Sequence, residues 1–155
     1  MRKIAITCLV IVCCFVSIFY VGCGEKGDYK VKEFYDSVKE SQNNLDILAD
    51  EIYVCWYDFV YNKKYSSVDL ALLKAYVNKY NEVEFVKQND EQIKEYFATA
   101  KNASFGQKVK DVMTAYSDYY EFVINVSGSF QSYSADKETK KKALATALRE
   151  LYYEL

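Results

Sequence analysis

Apolar residues recur at every seventh position along the first long segment, at Val31, Val38, Leu45, Ile52 and Phe59. Phe34, Leu48 and Cys55 fill most of the intermediate positions, and Tyr35, Ala49 and Trp56 widen the stripe. With 3.6 residues per turn, this spacing gathers the apolar side chains onto one helix face suited to bundle packing. A helix from about Asp28, its candidate cap, to Lys63 is predicted. Tyr65-Ser66-Ser67 marks the first break, with Ser66 or Ser67 as the next cap. A second pattern runs through Leu72, Tyr76, Val83, Val86, Ile93, Phe97 and Ala100, with Leu73 and Tyr80 beside it. The polar run Gln88-Asn89-Asp90 interrupts that seam, so one kinked or divided helix is expected, with Asp90 capping a second piece.

The third helix follows Asn102-Ala103-Ser104, with Ser104 as its candidate cap. Its face carries two interleaved series: Phe105, Val112, Tyr119, Val126 and Tyr133, then Val109, Tyr116, Val123 and Phe130. Ser127-Gly128-Ser129 falls inside the pattern, and Gly disfavours a helix interior by about 1 kcal/mol relative to Ala, so a kink or a stop before Phe130 is predicted. Ser134 or Asp136 then caps a last helix on which Leu144, Leu148, Leu151 and Leu155 align. No stretch alternates as a strand would. The chain has no Pro, and after Gly27 only Gly106 and Gly128, which suits long helices with few breaks. The expected fold is all-α: an up-down helical bundle of about four helices.

The bundle does not begin at Met1. Arg2 and Lys3 precede an uncharged stretch from Ile4 to Gly24, the layout of a secretory leader. At its end, Tyr20-Val21-Gly22-Cys23 resembles the lipobox of bacterial lipoproteins, in which a small residue precedes a Cys that is lipidated and becomes the mature N-terminus. Gly22 and Cys23 fit that pattern, whereas Tyr20 departs from its usual aliphatic residue. The resemblance covers the leader alone and implies a lipid anchor on Cys23 in the cell membrane. The expected organisation is a signal segment over 1–22, a short tether over 23–27 and a helical domain over 28–155. An uncleaved membrane-spanning helix is the alternative, since about 20 apolar residues cross a bilayer. Either reading places the domain outside the cytoplasm.

The leader takes most of the cysteines with it. Cys8, Cys13 and Cys14 lie within it and Cys23 is the expected lipid site, leaving Cys55 alone and no internal disulfide in the domain. An exported domain of this kind must be held by its own core. Without 1–22, 18 Lys and Arg stand against 22 Asp and Glu, and that net charge of −4 argues against a general nucleic-acid binder.

No His occurs anywhere, which removes the commonest general base and the commonest transition-metal ligand. The di-iron sites of helical bundles need Glu-x-x-His motifs, and no HExxH, paired CxxC or calcium-loop pattern is present. No metal, no cofactor and no catalysis are therefore expected. Cys55 lies on an apolar seam, away from any cation that would activate it. The carboxylate pairs Asp118/Glu121 and Glu82/Glu84 could support hydrolysis in principle, although such pairs are ordinary on solvated helix faces.

Tyrosine is the compositional oddity, with 16 residues of which only Tyr20 falls in the leader. Tyr53, Tyr57 and Tyr61 repeat along one line of the first helix, with Trp56 adjoining. Tyrosine offers a large ring with a polar tip at low entropic cost, which suits recognition surfaces. Tyr53, Trp56, Tyr57 and Tyr61 are thus the candidate binding surface, for a protein or another envelope component. A groove for a small molecule or glycan is the alternative. The basic step at Lys140-Lys141-Lys142, with Lys137 nearby, is read as a solvated face or a contact for anionic headgroups.

Overall fold

The computed structural model describes side chains from Tyr29 to Leu155. The lipobox-like Tyr20–Cys23, the tether and the Asp28 cap expected above lie outside the described residues. The protein is all-helical, built from α1 (Arg2–Val60), α2 (Val68–Asn78), α3 (Tyr80–Ala100), α4 (Gly106–Ile124) and α5 (Phe130–Tyr152). No helix among the described residues is long and apolar enough to cross a membrane.

α1 is the central member of the helical bundle, and the other four helices all pack against it. Its seam residues Val31, Phe34, Val38, Leu45, Leu48, Ile52 and Cys55 are buried, as the seven-residue spacing requires. α2 and α3 run back along it. Asn78 meets Glu51, Asn89 meets Ser41, and Phe97 meets Phe34, so rising numbers on one side match falling numbers on the other. α5 is likewise antiparallel to α1, with Tyr133 donating to the Ala49 carbonyl and Tyr152 stacking near Tyr35. α4 and α5 are antiparallel to each other, as Lys108 pairs with Glu154 and Phe122 stacks on Tyr133 at 4.5 Å.

Several helix ends differ from the expectations of the pattern. Gln88-Asn89-Asp90 does not break a helix. The division comes earlier, at Lys79, which ends α2 and begins α3 with φ −117° and ψ 37°. The polar run instead answers a gap in the α1 seam. Ser41 occupies the intermediate position between Phe34 and Leu48, is fully buried, and accepts a 2.8 Å hydrogen bond from Asn89. Asn89 also donates to the Ser37 carbonyl at 2.9 Å. A buried hydroxyl without such a partner would carry the desolvation cost of an unmade bond.

Ser104 does not cap α4. The chain turns tightly before it, Gly106 N–H donates to the Ala103 carbonyl, and Phe105 stands at the cap position. Gly106 is required there, because a Cβ would lie 2.3 Å from the Lys101 carbonyl oxygen. The stop before Phe130 occurs as expected, but neither Ser134 nor Asp136 caps the last helix. Ser129 does, in a reciprocal capping box with Ser132. Gly128 adopts φ +88°, a left-handed conformation open to glycine at little cost, and so directs the chain into that cap.

Candidate functional site

The candidate tyrosines lie on the last turns of α1, where the helix face leaves the core. Their exposure grades along the line: Tyr53 is half-buried, Tyr57 is 41% exposed and Tyr61 is 55% exposed. Trp56 is a correction to the expected surface. At 5% exposed it is a core residue, turned inward because it falls on the seam side of the line, and its ring lies 5.6 Å from Tyr133. It backs the patch and does not present it.

The residue that organises the site continues the apolar series of α4 but lies beyond the predicted kink or stop. Phe130, 7% exposed, is the first residue of α5. Its ring lies 5.3 Å from Tyr53, 6.1 Å from Tyr57, 5.8 Å from Tyr61 and 6.1 Å from Trp56. Tyr57, Tyr61 and Trp56 meet it edge-on, the arrangement favoured by the aromatic quadrupole. Tyr57 and Tyr61 are themselves 4.7 Å apart. The patch is therefore a rigid ring cluster held between two helices, and the Gly128–Ser129 turn is what delivers Phe130 to it. The signal in the sequence was the Ser-Gly-Ser break followed by a large aromatic.

Polar groups fix the edges of the patch. Lys137 ion-pairs with Asp50 at 2.6 Å and lies 4.9 Å over the Tyr53 ring. Asp58 accepts hydrogen bonds from Asn62 and Lys64, which hold its carboxyl below the usual carboxylate range. The Asp58 carbonyl also accepts from the backbone of Asn62 and Lys64, closing the end of α1 just past Tyr61. Lys63 turns the chain there with φ 55°.

The remaining tyrosines behave differently. Tyr116, Tyr119 and Tyr133 are almost wholly enclosed, and burial raises the pKa of each phenol. Tyr119 donates to Asp46 at 2.8 Å and Tyr133 to the Ala49 carbonyl at 3.2 Å. Tyr116 has no hydrogen-bond partner of good geometry, with Asp90 and Ser41 close by.

Candidate chemistry elsewhere is accounted for by packing. Cys55 is 2% exposed, and burial pushes its thiol up, away from the nucleophilic form. Asp118 is exposed, while Glu121 accepts a hydrogen bond from Asn125 and lines a groove with Asp90 and Glu91, both paired to Lys94. Of the basic step, Lys141 pairs with Asp46 and Lys140 lies over the Phe122 ring, which leaves Lys142 on an outer groove. Among the described residues, surface grooves of about 300 to 510 Å³ include four lined by residues other than the Tyr57/Tyr61 cluster. No group of three or more Cys, Asp or Glu among the described residues is arranged to hold a metal ion. No known protein family, curated protein or solved structure matches this chain.

Proposed function

We propose that this chain is an extracytoplasmic lipoprotein, anchored through Cys23, whose helical domain binds a protein or envelope component without catalysis. The observation that carries the binding reading is the exposed Tyr57–Tyr61 pair seated on the buried Phe130 ring. Large rings whose geometry is fixed in advance lose little freedom on association, which favours them as interface anchors. The anchoring reading is supported by the charged-then-apolar leader ending in Val21-Gly22-Cys23. Tethering at a membrane raises the effective concentration of the domain, so a small patch suffices for weak contacts.

In this reading the architecture is an up-down bundle of four rods, with α2 and α3 together forming the second. The end of α1 bearing the patch is the end farther in sequence from Cys23, and in this reading it is turned away from the membrane. The patch is clustered on the surface, apart from the four grooves described above, which favours a protein partner over a small molecule or glycan.

Two measurements test the proposal. Intact mass of the membrane-extracted protein is expected to lack 1–22 and to carry lipid, with both features lost in Cys23→Ser. An intact N-terminus in both proteins would sink the anchor. Cross-linking in whole cells is expected to give a discrete adduct that Tyr57→Ala and Tyr61→Ala weaken. Adducts unchanged by either substitution would remove the patch from the interface.

A further inference from the structure

We infer that the groove between α1 and α5 at the opposite end of the domain is a binding site for a phosphate-bearing ligand. The groove holds about 320 Å³, a size suited to a small molecule. Tyr35, Lys39 and Gln42 of α1 line one side, and Leu148, Arg149 and Tyr152 of α5 the other.

The register of charges along this seam points to an anion. Beginning at the patch end, Asp50 of α1 pairs with Lys137 of α5, and one turn further Asp46 pairs with Lys141. At the groove the alternation fails, because α1 presents Lys39 and α5 presents Arg149. These are the only charged residues in the lining, and neither forms an ion pair among the described residues. Two cations facing one groove repel, and an anion seated between them turns that repulsion into attraction. A phosphate monoester, carrying close to two charges near neutral pH, matches both cations in charge, and a phosphodiester carries one charge shared over two oxygens that both cations can reach.

Arg149 adds a compositional argument. The chain places Lys at every other cationic position after Arg2. The guanidinium is a rigid donor fork that engages phosphate oxygens in pairs, which a lysine ammonium does not do. The rest of the lining suits the organic part of such a ligand. The rings of Tyr35 and Tyr152 lie 5.9 Å apart, and Leu148, 4% exposed, forms the apolar floor. Lys39 is held 5.7 Å from the Tyr35 ring, and Gln42 offers an amide beside it.

The phosphate could belong to a soluble metabolite or to a lipid headgroup. The lipid source rests on the anchoring proposed above, since Tyr35 follows Cys23 by twelve residues, a reach of at most about 40 Å of extended chain. The test is calorimetric titration of the full chain in neutral detergent. Phenyl phosphate, dihexanoyl phosphatidylglycerol and dihexanoyl phosphatidylcholine are the probes.

The expected result is saturable binding of one phenyl phosphate or one phosphatidylglycerol per chain. That affinity should fall at least tenfold in Lys39→Gln/Arg149→Gln. It should be unchanged in Lys74→Gln/Lys110→Gln, which neutralises two exposed cations outside the groove. Phenyl phosphate binding identifies a soluble phosphate as sufficient, whereas binding of phosphatidylglycerol alone identifies the lipid headgroup. The inference is overturned if neither anion binds saturably, if phosphatidylcholine binds equally well, or if both double variants weaken binding alike. Phenyl phosphate binding by membrane-extracted protein whose intact mass retains 1–22 and carries no lipid would keep this inference while the mass sinks the anchor. The unfolding midpoint of each variant, expected at or above wild type, separates lost binding from lost fold.

Discussion

The same residue type serves two opposite purposes at two places in this bundle. At the end of α1, Tyr57 and Tyr61 remain about half exposed. Between α1, α4 and α5, Tyr119 and Tyr133 are enclosed, and each hydroxyl donates across a helix interface. The difference teaches that enclosing a tyrosine costs least where its hydroxyl finds an acceptor, as for Tyr119 and Tyr133, and most where it does not, as for Tyr116. An enclosed phenol without one carries a desolvation cost that its ring must offset.

The largest expected effect lies on the buried side. Tyr133→Ala removes a ring stacked on Phe122 and packed beside Trp56, and should cost about 3–5 kcal/mol. A lowered midpoint in denaturant would register it. A loss under about 1 kcal/mol would mean that α5 is not a full partner in the core.

Next come the two conservative changes. Tyr119→Phe deletes a hydrogen bond to the Asp46 carboxylate and should cost about 1–3 kcal/mol, because the acceptor is charged. Tyr116→Phe removes a hydroxyl that has no partner of good geometry, and should leave the melting temperature unchanged or raise it. Equal losses in both variants would break the distinction between satisfied and orphaned phenols.

A smaller, pH-dependent effect is expected at the edge of the exposed patch. Asp58 titrates below the ordinary carboxylate range because Lys64 and Asn62 favour its charged form. Its contribution is therefore complete above the unfolded-state value of about 3.9 and is lost as pH falls through the lower folded-state value. Melting temperature followed from pH 6 to pH 2 should fall less steeply in Asp58→Asn. Parallel curves would remove Asp58 as a clamp on the end of α1.

The smallest effect on stability belongs to the exposed rings. Tyr61→Ala should change unfolding free energy by less than about 1 kcal/mol, as is usual for a surface substitution, while weakening the cross-linked adduct. A destabilisation comparable with that of Tyr133→Ala would mark the pair as structural and erase the contrast.

The sequence by itself determined the all-helical fold, the buried seam of α1 and the paired buried series of α4. Those follow from helix periodicity, which is local and needs no knowledge of neighbours. It also located the exposed Tyr57 and Tyr61, since both sit beside the seam and not on it. Only the tertiary structure decided which polar residues were breaks and which were contacts. Asn89 reads as a terminator until Ser41 is found opposite it, and the stop before Phe130 is legible while the Ser129 cap that makes Phe130 the head of α5 is not. The meeting of Lys39 with Arg149 was equally hidden, because residues more than a hundred positions apart share a groove only once α1 and α5 are aligned. Periodicity says which face a helix buries, and the register between helices says what that face meets.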